Sequence, residues 1–251
     1  STISERLDPR ALSDLLNSYL TPMTDLVFET KGTLDKYMGD AIMAFWGAPI
    51  SLPDHAERAA TCALKMIRKL KELQADYQKR GLPAIDIGIG LNTGDMSVGN
   101  MGSNIVRSYT VMGDSVNLGS RLEGINKEYG TRIIVSEFTM RKIDNNFDMR
   151  EVDWVRVKGK AQPVRIFELL GTKAKGELAT PEVMLSILPA YNQGFALYHE
   201  RKFQDAITRF AEVLNVIPDD KVAQLYIERC NDYLEEPPAG DWDGVYTMKT
   251  K

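Results

Sequence analysis

The chain has 251 residues, of which 43% are hydrophobic, enough to bury the core of one sizeable domain with a smaller appendage. Its formal net charge is −4, and acids and bases are nearly balanced. This balance excludes a general basic field for nucleic acid, so a phosphate ligand would need a local cluster of lysine and arginine.

The two cysteines and the start of the chain indicate a cytoplasmic setting. Cys62 and Cys230 lie in separate helical patterns without paired or metal-like spacing, which predicts reduced packing residues. No apolar run is long enough to span a membrane, and the polar residues 1–5 do not resemble a signal peptide. We therefore expect a cytoplasmic location, with any membrane anchor of the parent protein lying upstream.

The first half of the chain alternates helix and strand patterns. Apolar spacing predicts one helix from Pro9 to Phe28 and another from Asp54 to Tyr77. Between them, β-prone residues on both sides of Gly39 predict a hairpin. Isoleucine and leucine alternate with aspartate and glycine over 85–91, which predicts a strand whose glycine face allows another element to approach closely.

The stretch from Thr110 to Arg121 reads as a strand end, a glycine turn and a helix start. Asp114 is the predicted N-cap of a helix that ends near Tyr129. Asn117 and Arg121 are four residues apart, so their side chains project from one face of this helix. A guanidinium in that position suits a phosphate. Four glycines lack phosphate-loop spacing and are predicted to mark turns: Gly94, Gly99, Gly102 and Gly113.

The second half predicts a strand over 132–135, a helix over 137–143 and a strand pair over 152–157 and 164–169. The whole pattern favours an α/β sandwich of the ferredoxin-like palm type with a mostly antiparallel sheet. A polar stretch over 172–181 is the predicted linker.

The region after the linker predicts a small all-α module. Gly194, Ala206, Phe210 and Pro218 have the spacing of the small, small, aromatic and proline positions of a tetratricopeptide repeat. One repeat cannot bury its own apolar faces, so it packs either on the first domain or on its copy in another subunit. Trp242 in the tail is predicted to pack, because an exposed tryptophan is costly.

Two features stand together in this sequence: Lys36 and Asp40 within the segment from Leu34 to Phe45, and the helix that carries Asn117 and Arg121. With these features the sequence resembles the catalytic domain of class III nucleotide cyclases, the adenylate cyclases in particular. The resemblance implies a catalytic domain over 1–171, followed by the linker and a tetratricopeptide-like extension over 182–251. The implied reaction converts ATP to 3′,5′-cyclic AMP and pyrophosphate.

The resemblance also implies roles for individual residues. The residues that match Lys36 and Thr110 read adenine, the one that matches Asn117 orients the ribose, and the one that matches Arg121 stabilises the phosphate in the transition state. Guanylate cyclases carry glutamate at the lysine position, so Lys36 favours ATP. A threonine at position 110 marks a branch often linked to bicarbonate stimulation. Lys158 matches a lysine that touches the outer phosphates, although Lys158 and Lys160 fit a solvated turn equally well.

The implied cofactors are two Mg²⁺ or Mn²⁺ ions per site, with Asp40 as one carboxylate ligand. Taken alone, Gly39-Asp40 is more commonly a turn in which the aspartate bonds its own backbone. In the family the second metal aspartate lies on a strand immediately upstream of the helix that begins here near Ser4, and we expect this sequence to lack it, because no other aspartate fits that position. In the resembled family, the metal aspartates come from one subunit and the base- and phosphate-binding residues come from its neighbour. The resemblance therefore implies a homodimer with sites at the interface.

The alternative functions are a regulatory or pseudo-catalytic cyclase subunit, and an interaction protein that binds a protein partner through the helical repeat.

Overall fold

The computed structural model describes residues 8–156 and 162–247. Within these ranges the helices are α1 (Pro9–Glu29), α2 (His55–Lys79), α3 (Asp114–Tyr129), α4 (Glu137–Ile143), α5 (Glu182–His199), α6 (Phe203–Val216) and α7 (Lys221–Glu235). The strands are β1 (Thr33–Met38), β2 (Ala41–Phe45), β3 (Ile89–Leu91), β4 (Ser97–Gly102), β5 (Arg107–Met112), β6 (Ile133–Ser136), β7 (Phe147–Arg156), β8 (Val164–Thr172) and β9 (Tyr246–Thr247).

The chain forms two compact units, and α3 contributes residues to both. The first unit comprises the chain up to Ile87 together with Gly94–Asn117. The second comprises Gly88–Thr93 and the chain from Leu118 onward.

The first unit contains α1, α2 and two antiparallel hairpins, β1-β2 and β4-β5. Asp8 caps α1 by accepting hydrogen bonds from the backbone N–H groups of Arg10 and Ala11, and Pro9 occupies the first turn, where its missing N–H costs nothing. Tyr19 and Met23 of α1 pack on Leu70 of α2. The predicted helices and the first hairpin are confirmed, with ends that differ by one or two residues.

The second unit is built on a five-stranded sheet with the order β3-β6-β8-β7-β9. β8 pairs antiparallel with both β6 and β7, whereas β3 and β9 run parallel to their neighbours at the two edges. The sheet is therefore mixed, and the prediction of a mostly antiparallel sheet holds at its centre but not at its edges.

Two predictions need correction, one of a strand and one of turns. The strand predicted over 85–91 is reduced to β3, because the carbonyl of Ile85 accepts from the Gln74 side chain and the N–H of Ile87 donates to the Asp86 carboxylate. These backbone groups bond side chains instead of a neighbouring strand. Gly99 and Gly102, predicted to mark turns, lie in β4, a strand that the sequence did not predict.

The predicted close approach to the glycine face of β3 is confirmed. A Cβ atom added to Gly90 would overlap the backbone of Gly119 and Glu123 in α3. The Asn126 side chain, also on α3, donates to the carbonyl of Ile89 at 3.0 Å. The absence of a side chain at Gly90 thus sets how closely α3 packs on the sheet.

The start of α3 differs from the prediction by one residue. The carbonyl of Gly113 accepts from the N–H groups of Val116 and Asn117, so Gly113 takes the cap position and Asp114 is the first helical residue. Gly113 has φ +146°, a backbone conformation that side chains rarely adopt.

The C-terminal helices pack on the sheet of the same unit. The hydroxyls of Tyr191 in α5 and Tyr226 in α7 donate to the carbonyls of Glu151 and Val152 in β7, at 2.7 and 2.8 Å. Of the two predicted packing modes, the structure shows packing within one chain. The assignment of these helices to the tetratricopeptide repeats remains a prediction.

Two buried ion clusters join the same helices to the sheet. Arg150 of β7 bonds Glu168 at 2.7 Å and Asp220, the N-cap of α7, at 2.6 Å. Arg229 of α7 bonds Asp153 of β7 at 2.6 Å. The helices are thus bonded to the sheet through charge as well as apolar contact.

The predicted linker over 172–181 folds back on the end of β8. The N–H of Thr172 donates to the carbonyl of Leu178, and the Thr180 hydroxyl donates to Asp148 at 2.7 Å. The proposed domain boundary at residue 171 remains a prediction.

Other predictions about packing are confirmed. Trp242 packs against Tyr198, Phe203 and Tyr233, and both cysteines are buried thiols. None of the helices in the described ranges combines the length and apolar character that a membrane crossing requires.

Candidate active site

The hairpin β1-β2 contains an irregularity beside Lys36. Leu34 pairs with Ala44 and Lys36 pairs with Met43, so the register shifts at Asp35. Regular strands point consecutive side chains to opposite faces, whereas a bulge re-aims one of them. Asp35 and Lys36, although adjacent in sequence, therefore both reach the same neighbour on β5.

That neighbour is Thr110, 74 residues further along the chain from Lys36. The Lys36 ammonium donates to the Thr110 hydroxyl at 3.2 Å, and the hydroxyl donates to Asp35 Oδ2 at 2.7 Å. The N–H of Val111 donates to the same oxygen at 3.0 Å. Lys36 also forms an ion pair with Asp35 Oδ1 at 3.2 Å. The structure thus brings together the two residues predicted to read the base.

Burial divides this cluster into a hidden anion and an accessible cation. The side chain of Asp35 is 1% exposed and that of Lys36 is 47% exposed. Burial by itself raises the pKa of the Asp35 carboxyl, but hydrogen bonds from Thr110, Val111 and Lys36 outweigh burial and leave the pKa lowered. Asp35 is therefore an ionised acceptor at neutral pH, and Lys36 keeps donor capacity for a ligand.

Asp40, the predicted metal ligand, is exposed at the hairpin turn directly after Gly39, which has φ +66°. Burial raises the pKa of Tyr19 in α1 to about 12, and the negative charge of the Asp40 carboxylate adds to this rise. Within the described ranges, no group of three or more histidines, cysteines, aspartates or glutamates could hold a metal ion. Mg²⁺ commonly binds through one or two carboxylates plus substrate phosphates and water, and an exposed turn carboxylate fits that requirement.

Asn117 and Arg121 are both exposed and lie one turn apart on α3, as predicted. Asn117 belongs to the first compact unit and Arg121 to the second. Lys158 and Lys160 lie outside the described residues.

Asp35 is the residue of this cluster that sequence reasoning missed. Its only signal is an acid placed between Leu34 and Lys36 in a β-prone segment. Strict alternation would turn Asp35 and Lys36 to opposite faces, so the contact depends on a bulge that the sequence pattern does not show.

Comparison with known proteins decides the family. The family of adenylate and guanylate cyclase catalytic domains matches residues 1–171. The chain belongs to this family. Its relatives include a terminal-differentiation specific adenylate cyclase of Dictyostelium discoideum, 35% identical over 222 residues, which cover 86% of this chain and 10% of that protein. Since 222 residues exceed the 171 of the family match, this similarity continues into the C-terminal region.

Two further relatives are adenylate cyclases from bacteria. Adenylate cyclase 1 of Rhizobium meliloti is 33% identical over 68% of this chain and 26% of its own length. The adenylate cyclase of Anabaena cylindrica is 36% identical over 67% of this chain and 34% of its own length. The chain therefore spans about a tenth to a third of the curated relatives that it matches.

Solved structures with this fold include cyclases of both substrate classes. The guanylyl cyclase Cya2 superposes with a TM-score of 0.64 and 34% identity, covering 72% of this chain and 90% of that one. The adenylyl cyclase CyaB from P. aeruginosa superposes with a TM-score of 0.63 and 32% identity, covering 70% of this chain and 88% of that one. Overall similarity thus establishes the cyclase domain without choosing between ATP and GTP.

Proposed function

We propose that this cyclase converts ATP to 3′,5′-cyclic AMP and pyrophosphate. The proposal that ATP is the substrate, and not GTP, rests on the hydrogen-bonded pair Lys36–Thr110, in which the Thr110 hydroxyl also bonds Asp35. A lysine ammonium only donates hydrogen bonds, so it pairs with the unprotonated N1 of adenine and meets a second donor, N1–H, on guanine. Thr110 lies beside Lys36, so its hydroxyl would face the group at the 6-position of the same purine edge.

The remaining residues have roles in the chemistry. The ribose 3′ hydroxyl loses its proton to solvent water, its oxygen attacks the α-phosphorus, the new O–P bond closes the ring, and the bond to the bridging oxygen breaks as pyrophosphate leaves. Asn117 orients the ribose, and Arg121, four residues later on α3, neutralises charge that develops on the phosphate. Lys158 contacts the outer phosphates in this proposal.

Asp40 would hold Mg²⁺ or Mn²⁺ at the site, with further ligands from the substrate phosphates and from the second aspartate that the family resemblance implies upstream of α1. When bound, two such ions lower the pKa of the 3′ hydroxyl and screen the triphosphate. The proposed assembly is a homodimer in which Asp40 of one subunit and Lys36, Asn117 and Arg121 of the other complete each site.

The test is product formation by the full protein with ATP and with GTP, in Mg²⁺ and in Mn²⁺. We expect cyclic AMP from ATP, and loss of most activity in Arg121→Ala. Arg141→Ala, on the exposed face of α4, is the matched control and should leave the rate unchanged. Nucleotide binding without any cyclic product would instead support a regulatory or pseudo-catalytic subunit.

A further inference from the structure

The direction of the hydrogen bonds around Thr110 carries information about the ligand. A threonine hydroxyl has one proton to donate and two lone pairs that accept. Here the proton is given to Asp35 Oδ2, and one lone pair receives the Lys36 ammonium. What remains for a ligand is a single acceptor lone pair. In this arrangement Thr110 can take a hydrogen bond from a base but cannot give one.

We propose that Asp35 is a specificity-determining residue, which holds the Thr110 hydroxyl as an acceptor so that the pair accepts a 6-amino purine and rejects a 6-oxygen purine. This inference rests on the proposed function, since it takes the Lys36–Thr110 pair as the reader of the base. Asp35 acts through Thr110 and Lys36 and is a positioning residue, not a catalytic one.

Three observations explain why the hydroxyl cannot reverse. Asp35 Oδ2 is held in place by a second donor, the N–H of Val111 at 3.0 Å. The side chain of Asp35 is 1% exposed, so water does not compete for the Thr110 proton. The lowered pKa of this carboxyl keeps it ionised at neutral pH, and an ionised carboxylate only accepts.

The geometry also assigns a second task to Asp35. Its Oδ1 is paired with the Lys36 ammonium at 3.2 Å, and no hydrogen bond with regular geometry reaches this oxygen from the described residues. One carboxylate therefore orients both halves of the pair: Oδ2 sets the direction of the hydroxyl, and Oδ1 holds the cation next to it. Adenine, with an acceptor at N1 and a donor at the 6-amino group, complements this order of donor and acceptor.

The experiment compares two ATP analogues that differ only at the 6-position. N6-methyl-ATP carries an N–H donor there, whereas the triphosphate of 6-methoxypurine riboside carries an oxygen of similar size that only accepts. Both keep an unprotonated N1, so the contact with Lys36 is the same. Each analogue displaces a fluorescent N-methylanthraniloyl-ATP from the full protein, which measures binding independently of turnover.

We expect the unmutated protein to bind the N6-methyl analogue about tenfold or more tightly than the methoxy analogue, since the latter leaves two acceptors facing each other. In Asp35→Ala the hydroxyl is released to donate, and this ratio should fall to near one. In Asp35→Asn an amide oxygen can still accept from Thr110 and Val111, so the ratio should persist while both affinities drop. Asp76→Ala, which removes an exposed aspartate paired with Arg80, is the control and should change nothing.

Equal affinities in the unmutated protein would overturn the proposal without any variant, so it stays testable even if Asp35→Ala does not fold. An Asp35→Ala protein that folds and binds both analogues more weakly with an unchanged ratio would show a merely structural role and would also overturn it. Failure of ATP itself to displace the fluorescent nucleotide is a different result, because it removes the proposed function rather than the role of Asp35.

Discussion

Lys36 offers the simplest residue-scale test of base choice. Replacing Lys36 with glutamate exchanges a donor for an acceptor at the N1 edge, where guanine has an N–H and adenine does not. We expect the preference for ATP over GTP, a margin of about 1–3 kcal/mol in kcat/KM, to shrink in Lys36→Glu. The measurement is cyclic nucleotide formation from each substrate.

The matched control for this change is Lys71→Glu, which makes the same charge reversal on an exposed part of α2. It should leave the ATP to GTP ratio where it was. Equal use of ATP and GTP by the unmutated protein would contradict the base-reading role of Lys36.

His199 is a residue whose protonation opposes folding. Its ring stacks on Trp154 at 4.5 Å between centroids and contacts Phe195 at 4.6 Å. Burial lowers the pKa of His199; the nearby carboxylates of Asp153 and Glu151 work in the opposite direction, and Arg229 and Arg165 add to the lowering. The folded state thus favours the neutral ring.

The sign of the pH effect follows from that lowered pKa. As pH falls below about 6.5, the unfolded chain binds a proton at His199 before the folded chain does, so stability falls until the folded pKa is passed. We expect His199→Gln to flatten the fall in melting temperature between pH 7 and 5. His55→Gln, at the other histidine of the chain, is the control. The same pH slope in all three proteins would show that burial of His199 does not couple to stability.

At the scale of elements, the close contact between β3 and α3 depends on a glycine, Gly90, at a position where any side chain would clash. Gly90→Ala would push a Cβ into the backbone of Gly119 and Glu123, which cannot rotate away. We expect a loss of about 1–3 kcal/mol in the free energy of unfolding, measured by urea denaturation, and lower activity because α3 carries Asn117 and Arg121.

Gly99→Ala makes the same substitution in β4, where a new Cβ would meet nothing within 4 Å. This variant should be as stable as the unmutated protein or slightly more stable, because alanine restricts the unfolded chain. Equal losses for both variants would mean that strand glycines matter here for a reason other than close packing.

The attachment of α7 to the sheet is a second element-scale feature. Arg229, 11% exposed, pairs with Asp153, 0% exposed, and also contacts the hydroxyl of Tyr129 on α3. Arg229→Met keeps the size of the side chain but leaves the Asp153 carboxylate buried without this cation. We expect a loss of about 3–5 kcal/mol in unfolding free energy.

Arg209→Met is the matched change at an exposed pair with Glu212 within α6, and it should cost about 0–1 kcal/mol. Thermal and urea unfolding of the two variants measure the difference. Similar small losses for both would indicate that the C-terminal helices are joined to the sheet by apolar contact alone.

At the scale of the whole molecule, the proposed homodimer makes a quantitative prediction. Asp40→Ala and Arg121→Ala should each be nearly inactive in the full protein, since both sites of either homodimer carry the defect. After subunit exchange about half of the dimers are mixed, each with one intact and one doubly defective site. Activity should then return to about a quarter of the unmutated level.

Exchange itself is the control for that experiment, and it can be followed with two tagged populations. If mixed dimers form and no activity returns, the catalytic residues belong to one subunit and the shared-site arrangement is wrong. Two preparations of the same variant, mixed under the same exchange conditions, should show no recovery of cyclase activity.

The sequence alone determined much of what depends on local pattern. Helical periodicity placed α1 and α2, a glycine between β-prone segments placed the first hairpin, and the glycines of residues 85–91 predicted the close approach of α3. The residues that resemble those of the cyclases were sufficient to indicate the family. All of these depend on residue type and short-range spacing.

Only the tertiary structure decided the features that join distant segments. The bulge at Asp35 turns that carboxylate toward Thr110, whereas simple alternation would have turned it away from the side occupied by Lys36. The strand predicted over 85–91 is shorter in the structure because side chains form hydrogen bonds with the backbone groups of Ile85 and Ile87. The edge strands of the sheet run parallel to their neighbours because they pair with distant segments of the chain. Register and long-range pairing are set by the whole packed chain, so no window of residues contains them.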